Sequence, residues 1–317
     1  MTAPATIGIR LLPAAVTVAL GTLIAVQSRV NGELATHTGT GLLPAWWTML
    51  TGLAILSVVV TVHRQSRRGL REVRVALGAG RLPWATLTGG VFGGLFLITQ
   101  SITVPLVGVA VFSVGIVAGQ TTGSLVVDRL GISASGHRAI TGRRVLASVL
   151  AVVAVAIGIS DRLSGVPGTA LYAALAFLAG VLIAPQQAVN GRVAVAAGSP
   201  FVAAFVNFAG GAIMMSVFLG SAVASARVTV ADPWGAPWWA YLGGVLGLSV
   251  IAGAAWVVPT LGVLVFSLLS VLGQLTGSLL LDILIPTPGT SVGWHLLAAV
   301  ALTFVAILIA AGPRRSP

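Results

Sequence analysis

Long apolar runs broken by short polar stretches dominate the chain. Ten such runs fall at about 11–30, 41–62, 83–104, 107–128, 143–160, 167–189, 200–222, 237–258, 261–281 and 291–312. A helix rises about 1.5 Å per residue, so roughly 20 apolar residues cross the hydrocarbon core of a bilayer. The pattern predicts an all-α integral membrane protein with ten transmembrane helices. The first run follows Arg10 as a signal peptide would, but it lacks a small-x-small cleavage site and has a counterpart later in the chain, so it reads as a span.

Composition narrows the class. Of 317 residues, 57% are hydrophobic and only 7% charged, against roughly 25% charged in an ordinary soluble domain. That excludes an ordinary cytoplasmic enzyme, a disordered chain and a nucleic-acid-binding domain. The net charge of +11 comes from 17 basic residues, all Arg. Arg64, Arg67, Arg68, Arg71, Arg74 and Arg81 follow span 2, and Arg129, Arg138, Arg143 and Arg144 follow span 4. With these stretches in the cytoplasm, Arg10, Arg192, Arg314 and Arg315 also fall inside, and only Arg29, Arg162 and Arg227 fall outside. This predicts cytoplasmic N and C termini. The arginines are read as setting topology and touching anionic membrane lipid, not as binding nucleic acid. Cys is absent, which removes disulfides, thiolate metal sites and cysteine nucleophiles.

The chain repeats itself. Residues 83–128 align without a gap to 237–282, at an offset of 154, with 21 of 46 positions identical. The core reads VGVAVFSVGIVAGQTTGSLVVD at 107–128 and LGVLVFSLLSVLGQLTGSLLLD at 261–282. A second block pairs QSRVNGELATHTGT at 27–40 with QQAVNGRVAVAAGS at 186–199, an offset of 159. The expected organisation is two five-helix repeats, 1–162 and 163–317. An odd number of spans per repeat inverts the second. Asp128 then falls near the cytoplasmic face and Asp282 near the outer face. Inverted repeats provide two near-equal states, one open to each side, with substrate held near the midplane.

The motif Q-x-x-x-N-G in spans 1 and 6, with G-Q-x-x-G-S-L-x-x-D in spans 4 and 9, resembles the YdcZ-type branch of the drug/metabolite transporter superfamily. The resemblance covers nearly the whole chain and implies the ten-helix fold of that superfamily in the bacterial cytoplasmic (inner) membrane, with an exporter's role. It implies no substrate. The small multidrug exporters of the superfamily carry a Glu within their first helix. Here span 1 reads LLPAAVTVALGTLIAVQ and has no acid.

Candidate chemistry is sparse. The six acids are Glu33, Glu72, Asp128, Asp161, Asp232 and Asp282, none at the middle of a span. No nucleophile–base pair or metal-ligand cluster is spaced for catalysis, so an enzyme, a metal site and a bound cofactor are not expected. Asp128 and Asp282 end the most repetitive helices and are candidates for coupling or gating. Arg129 is a local ion-pair partner for Asp128. Gln120 and Gln274 lie about 12 Å inside those aspartates, near the midplane. They are candidates for substrate binding with Thr122, Ser124, Thr276 and Ser278, or for gluing helices together. Gln27, Asn31, Gln186 and Asn190 sit near the ends of spans 1 and 6, where they bind substrate or lock the adjoining turn. Gln100 has Ala254 as its counterpart and is a candidate for asymmetric specificity. Trp46 and Trp47 belong to an interfacial aromatic belt or stack on a flat ligand. Gly115, Gly119 and Gly123, echoed by Gly273 and Gly277, form smooth helix faces for close packing. Pro105 and Pro259 are expected in turns between paired spans.

The function expected is a secondary transporter exporting a small organic metabolite or drug-like compound. The alternative is a translocase for lipid or a lipid-linked carrier, or a membrane component without transport of its own. One chain already contains the inverted pair, so a monomer suffices and a homodimer stays open.

Overall fold

A computed structural model describes residues 11–132, 136–137, 139–160, 167–287 and 292–311, with Val263, Leu264 and Ala311 described by backbone alone. Asp161, Arg10, Arg138, Arg162, Arg314 and Arg315 lie outside the described residues. The described residues form helices α1 (Leu11–Thr38), α2 (Leu42–Val62), α3 (Arg64–Gly78), α4 (Gly89–Val107), α5 (Val109–Leu130), α6 (Gly142–Ile159), α7 (Thr169–Ala197), α8 (Pro200–Ala224), α9 (Gly243–Leu261), α10 (Val263–Leu284) and α11 (Trp294–Ala311). Short 3-10 turns, Trp84–Thr88 and Trp238–Tyr241, lead into α4 and α9. Among the described residues nine helical segments are long and apolar enough to cross a membrane, and the apolar part of α11, Trp294–Ala310, is shorter. Helices suit this solvent because they satisfy their own backbone donors and acceptors.

Three differences from the sequence pattern have physical causes. α1 runs 28 residues and α7 29, well past the ends expected at 30 and 189. Their amides stop a hydropathy reading, but in the fold neighbouring helices supply hydrogen bonds for them. The arginine-rich stretch after span 2 is the helix α3. Its buried side, Ser66, Gly69, Val73 and Ala76, packs on Val193, Ala197 and Val202. Pro105 and Pro259 lie inside the last turns of α4 and α9. The turns themselves are made by Gly108 at φ +84° and Gly262 at φ +78°, where a side chain would be strained.

α1 packs against α10, α9 and α4, and α7 packs against α5, α4 and α8. α2 lies on α8, and α6 on α11. The α1–α10 and α5–α7 seams are backbone-close. A Cβ on Gly21 would collide with the Ser270 carbonyl, and one on Gly273 with the Val18 carbonyl. On the other seam, Gly180 meets the Ile116 carbonyl and Gly119 the Phe177 carbonyl. Lipid tails are as apolar as the helices, so association depends on such close approach rather than on a hydrophobic drive.

Candidate functional site

Amides buried in apolar helices cost free energy unless they are hydrogen-bonded, and the two amide clusters meet that need across helices. In the first, Gln27, Ser28 and Asn31 project from α1 toward α2, α4 and α9. Asn31 Nδ2 donates to Gln100 Oε1 at 2.7 Å, and Gln100 Nε2 donates to Ser28 Oγ at 2.7 Å. Thr48 Oγ1 donates to Asn31 Oδ1 at 2.9 Å, and Gln27 Nε2 donates to the Gly243 carbonyl at 2.8 Å. Gln100 is fully buried and Asn31 is 1% exposed. Gln100, unmatched in the repeat, is thus the centre of the first cluster.

The second cluster uses a different hub. Gln186 Nε2 and Asn190 Nδ2 of α7 both donate to Asn207 Oδ1 of α8, each at 3.1 Å. Asn207 occupies the position equivalent to Thr48 at the offset of 159. It lies outside the block whose repetition is evident, but extending that offset into span 7 exposes it. Gln186 and Asn190 are only half-buried. Among the described residues, Gln186 Oε1, Asn190 Oδ1 and Asn207 Nδ2 have no hydrogen-bond partner. In the first cluster Asn31 and Gln100 thus have both their side-chain oxygens and nitrogens engaged, whereas the second offers two acceptors and a donor.

The glycines of α4 and α9 are the floors of these clusters. A Cβ on Gly247 would stand 2.7 Å from Gln27 Nε2, and one on Gly93 2.6 Å from Gln186 Nε2. Gly243 lies against Asn31 Oδ1 and Gly89 against Asn190 Oδ1. These positions correspond at the offset of 154. Their small size makes room for amides from the opposite half of the chain.

Gln120 and Gln274 sit on the backbone-close seams, where Gly180 faces the main-chain nitrogen of Gln120 and Gly21 that of Gln274. Neither side chain hydrogen-bonds to a described residue, although Gln274 is only 7% exposed. The neighbouring hydroxyls bond their own helices: Thr122 to the Ala118 carbonyl at 2.9 Å and Thr276 to the Leu272 carbonyl at 2.7 Å. Because the glutamine side chains give the fold no hydrogen bond, Gln120→Ala/Gln274→Ala is expected to shift the Tm by no more than a few degrees. The same variant is expected to lose any rise in Tm that a screened compound gives the wild type. Thermal unfolding against a metabolite library measures both. A compound that stabilises wild type and variant equally would reduce these glutamines to packing residues.

The two repeat aspartates have different partners. The first N–H groups of a helix lack intrahelical acceptors, and Gly108, at the head of α5, has no side chain to cap them. Asp282 does so from α10: its Oδ1 accepts from Val109 N at 3.0 Å and its Oδ2 from Ala110 N at 2.8 Å. It is 3% exposed. A Cβ on Gly108 would be 2.8 Å from Asp282 Oδ2. Asp128 instead accepts a 2.5 Å bond from Arg144 Nη2 of α6, rather than pairing with Arg129. No described residue lies within 4 Å of a Cβ built on Gly262, at the head of α10.

The tryptophans bridge helices. Trp46 Nε1 donates to Ser216 Oγ at 2.9 Å and Trp47 Nε1 to the Tyr241 carbonyl at 3.0 Å. Trp47 also meets Trp234 edge-on, at 5.6 Å between centroids. Both ring nitrogens are occupied within the protein, which leaves only ring faces for a ligand.

The profile of one family, described as "Putative inner membrane exporter, YdcZ", matches residues 12–157 and 171–309. No curated protein matches the chain. The two matched stretches take in every amide, glycine and aspartate of the sites above. The chain belongs to the YdcZ family of drug/metabolite transporters and is a multi-pass inner-membrane protein.

Proposed function

We propose that this protein is a secondary transporter that exports a small organic compound by alternating access between two inverted five-helix halves, 1–162 and 163–317. Both termini are cytoplasmic in this reading, as the arginine distribution requires. The observation that carries it is the unequal state of two equivalent contacts. The heads of α5 and α10 share the G-V-x-V-F-S sequence and the same glycine turn, and the aspartates that could cap them share the G-S-L-x-x-D motif. Asp282 caps α5, whereas Asp128 is held by Arg144. Near-identical sequences at opposite faces have near-equal intrinsic energies, so a contact made at one face and unmade at the other describes one of two interchangeable states.

With the termini inside, Asp282 and Gly108 lie at the outer face. This state is then closed outside and open to the cytoplasm. The buried first amide cluster falls on the outer side and the cluster of half-buried Gln186 and Asn190 on the inner side. Cytoplasmic substrate would meet Gln186, Asn190 and Asn207 first, in the order an exporter needs. Amides without a midplane charge suit a neutral or weakly polar compound. Family membership in exporters supports the direction. One chain carries both halves, so a monomer is sufficient.

The chain has no native Cys, so single cysteines report accessibility directly. Ser113 in α5 is fully buried, and its equivalent Ser267 in α10 is exposed. Ser267→Cys is expected to react with a membrane-impermeant thiol reagent from the cytoplasmic side, and Ser113→Cys to be protected from outside. A transported compound should slow the first reaction and speed the second. Equal labelling of both positions, unchanged by every compound in a broad library, would refute alternating access here. Folded protein in vesicles that moves none of that library would refute transport.

A further inference from the structure

The groove where α2 turns into α3 combines apolar surface with unpaired cations. It is an open groove of about 910 Å³ whose lining includes Val58, Val62 and Phe201 together with His63, Arg64 and Arg68. α2 ends at Val62 because His63 takes an extended conformation, with φ −82° and ψ 115°. The chain then restarts as α3, whose exposed face carries Arg64, Arg67, Arg68, Arg71 and Arg74, with Glu72 the one acid in that helix. None of these arginines is in an ion pair among the described residues. Val58 and Val62 are 62% and 73% exposed, so apolar surface runs directly up to the guanidinium groups.

We propose that this groove is a binding site for an anionic phospholipid. The acyl chain lies along Val58, Val62 and Phe201, and the phosphate sits between Arg64 and Arg68. A free anion would use the arginines and leave the apolar wall unused. A zwitterionic lipid would place a second cation beside an already basic helix. An anionic lipid uses both surfaces and offsets the helix's excess charge. The groove joins the two halves of the chain, because α2 and α3 precede residue 162 and Phe201 belongs to α8. Gln65 Nε2 also ties α3 to the Gly198 carbonyl, beyond the end of α7, at 3.0 Å. The bound lipid is therefore a strap between the halves. This inference stands independently of the transport reading.

The test is thermal unfolding of the full chain in detergent with added phosphatidylglycerol, phosphatidylcholine or inorganic phosphate. Wild type is compared with Arg64→Gln/Arg68→Gln and with Arg71→Gln/Arg74→Gln, which removes the same charge from α3 outside the groove. All four arginines are exposed, so each variant is expected to fold, and its lipid-free Tm checks this. Phosphatidylglycerol should raise the wild-type Tm, and the groove variant should need about 30-fold more of it for half the effect. The other variant should show a clearly smaller shift. Equal stabilisation by phosphatidylcholine overturns the headgroup assignment, and equal stabilisation by phosphate alone overturns the lipid. Equal weakening in the two variants overturns the groove and leaves a diffuse attraction to a basic helix.

Discussion

Asp282→Ala is expected to abolish net export while leaving the protein folded in the membrane. Its carboxylate is the acceptor for Val109 N and Ala110 N, at 3.0 and 2.8 Å. Removing it leaves two helix-terminal donors unsatisfied in a buried place, at a cost of about 1–3 kcal/mol each. That cost falls only on the state in which α10 meets the head of α5. Between two nearly balanced states, a shift of about 3 kcal/mol changes the population ratio by roughly 150-fold. The outer closure would then rarely form. Asp282→Asn keeps one carbonyl acceptor and should retain part of the activity. The measurements are transport in proteoliposomes and reactivity of Ser113→Cys from outside, which should rise sharply in the Asp282→Ala background. Full transport with Ser113→Cys still protected would remove Asp282 from the gate. Asp128→Ala should give the reciprocal result, with Ser267→Cys reactive from the cytoplasm whatever compound is added.

Gly119→Leu and Gly273→Leu are expected to cause the largest losses of stability. A Cβ at Gly119 would run into the Phe177 carbonyl, and one at Gly273 into the Val18 carbonyl. The obstacle in both places is the backbone of a neighbouring helix, which cannot rotate aside as a side chain can. The α5–α7 or α1–α10 seam would have to open, forfeiting the close packing that holds transmembrane helices together. Overpacking of this kind costs about 3 kcal/mol or more, a large share of the stability of a marginally stable protein, and should lower the Tm markedly. Gly220→Leu, where an added Cβ meets nothing within 4 Å, is the control and should hold the wild-type Tm. Thermal unfolding followed by size-exclusion chromatography reads both. A wild-type Tm for Gly119→Leu would mean that the seam is looser than its backbone contacts require.

Several residues of the candidate site were legible in the sequence because they break an apolar pattern twice. Gln27 with Gln186, Asn31 with Asn190, and Asp128 with Asp282 recur at fixed offsets, and a polar group in an apolar helix must find a partner or a use. Asn207 was legible by the same logic, but its counterpart is Thr48, so identity alone passes over it. Arg144 was less legible, because nothing local distinguishes it from Arg129 or Arg143 as the partner of Asp128. The lengths of α1 and α7 were misread at their ends for a related reason: hydropathy counts an amide as polar whether or not a neighbouring helix has satisfied it.

The sequence by itself determined the number of apolar segments, the membrane environment, the internal repeat and the family. The first two follow from local composition, since a spanning helix satisfies its own backbone and needs only a long apolar run, and the last two from motifs that recur at fixed offsets. Only the tertiary structure decided which polar groups meet. Asp282 reaches Val109 across 173 positions of chain, and Asn207 gathers two amides from another helix. It also decided which of two equivalent contacts is made. Matching motifs cannot encode that choice, because both aspartates end the same G-S-L-x-x-D motif and both helix heads carry the same G-V-x-V-F-S sequence. It is settled by packing between helices distant in sequence, which brings Asp282 of α10 to the head of α5 and Arg144 of α6 to Asp128.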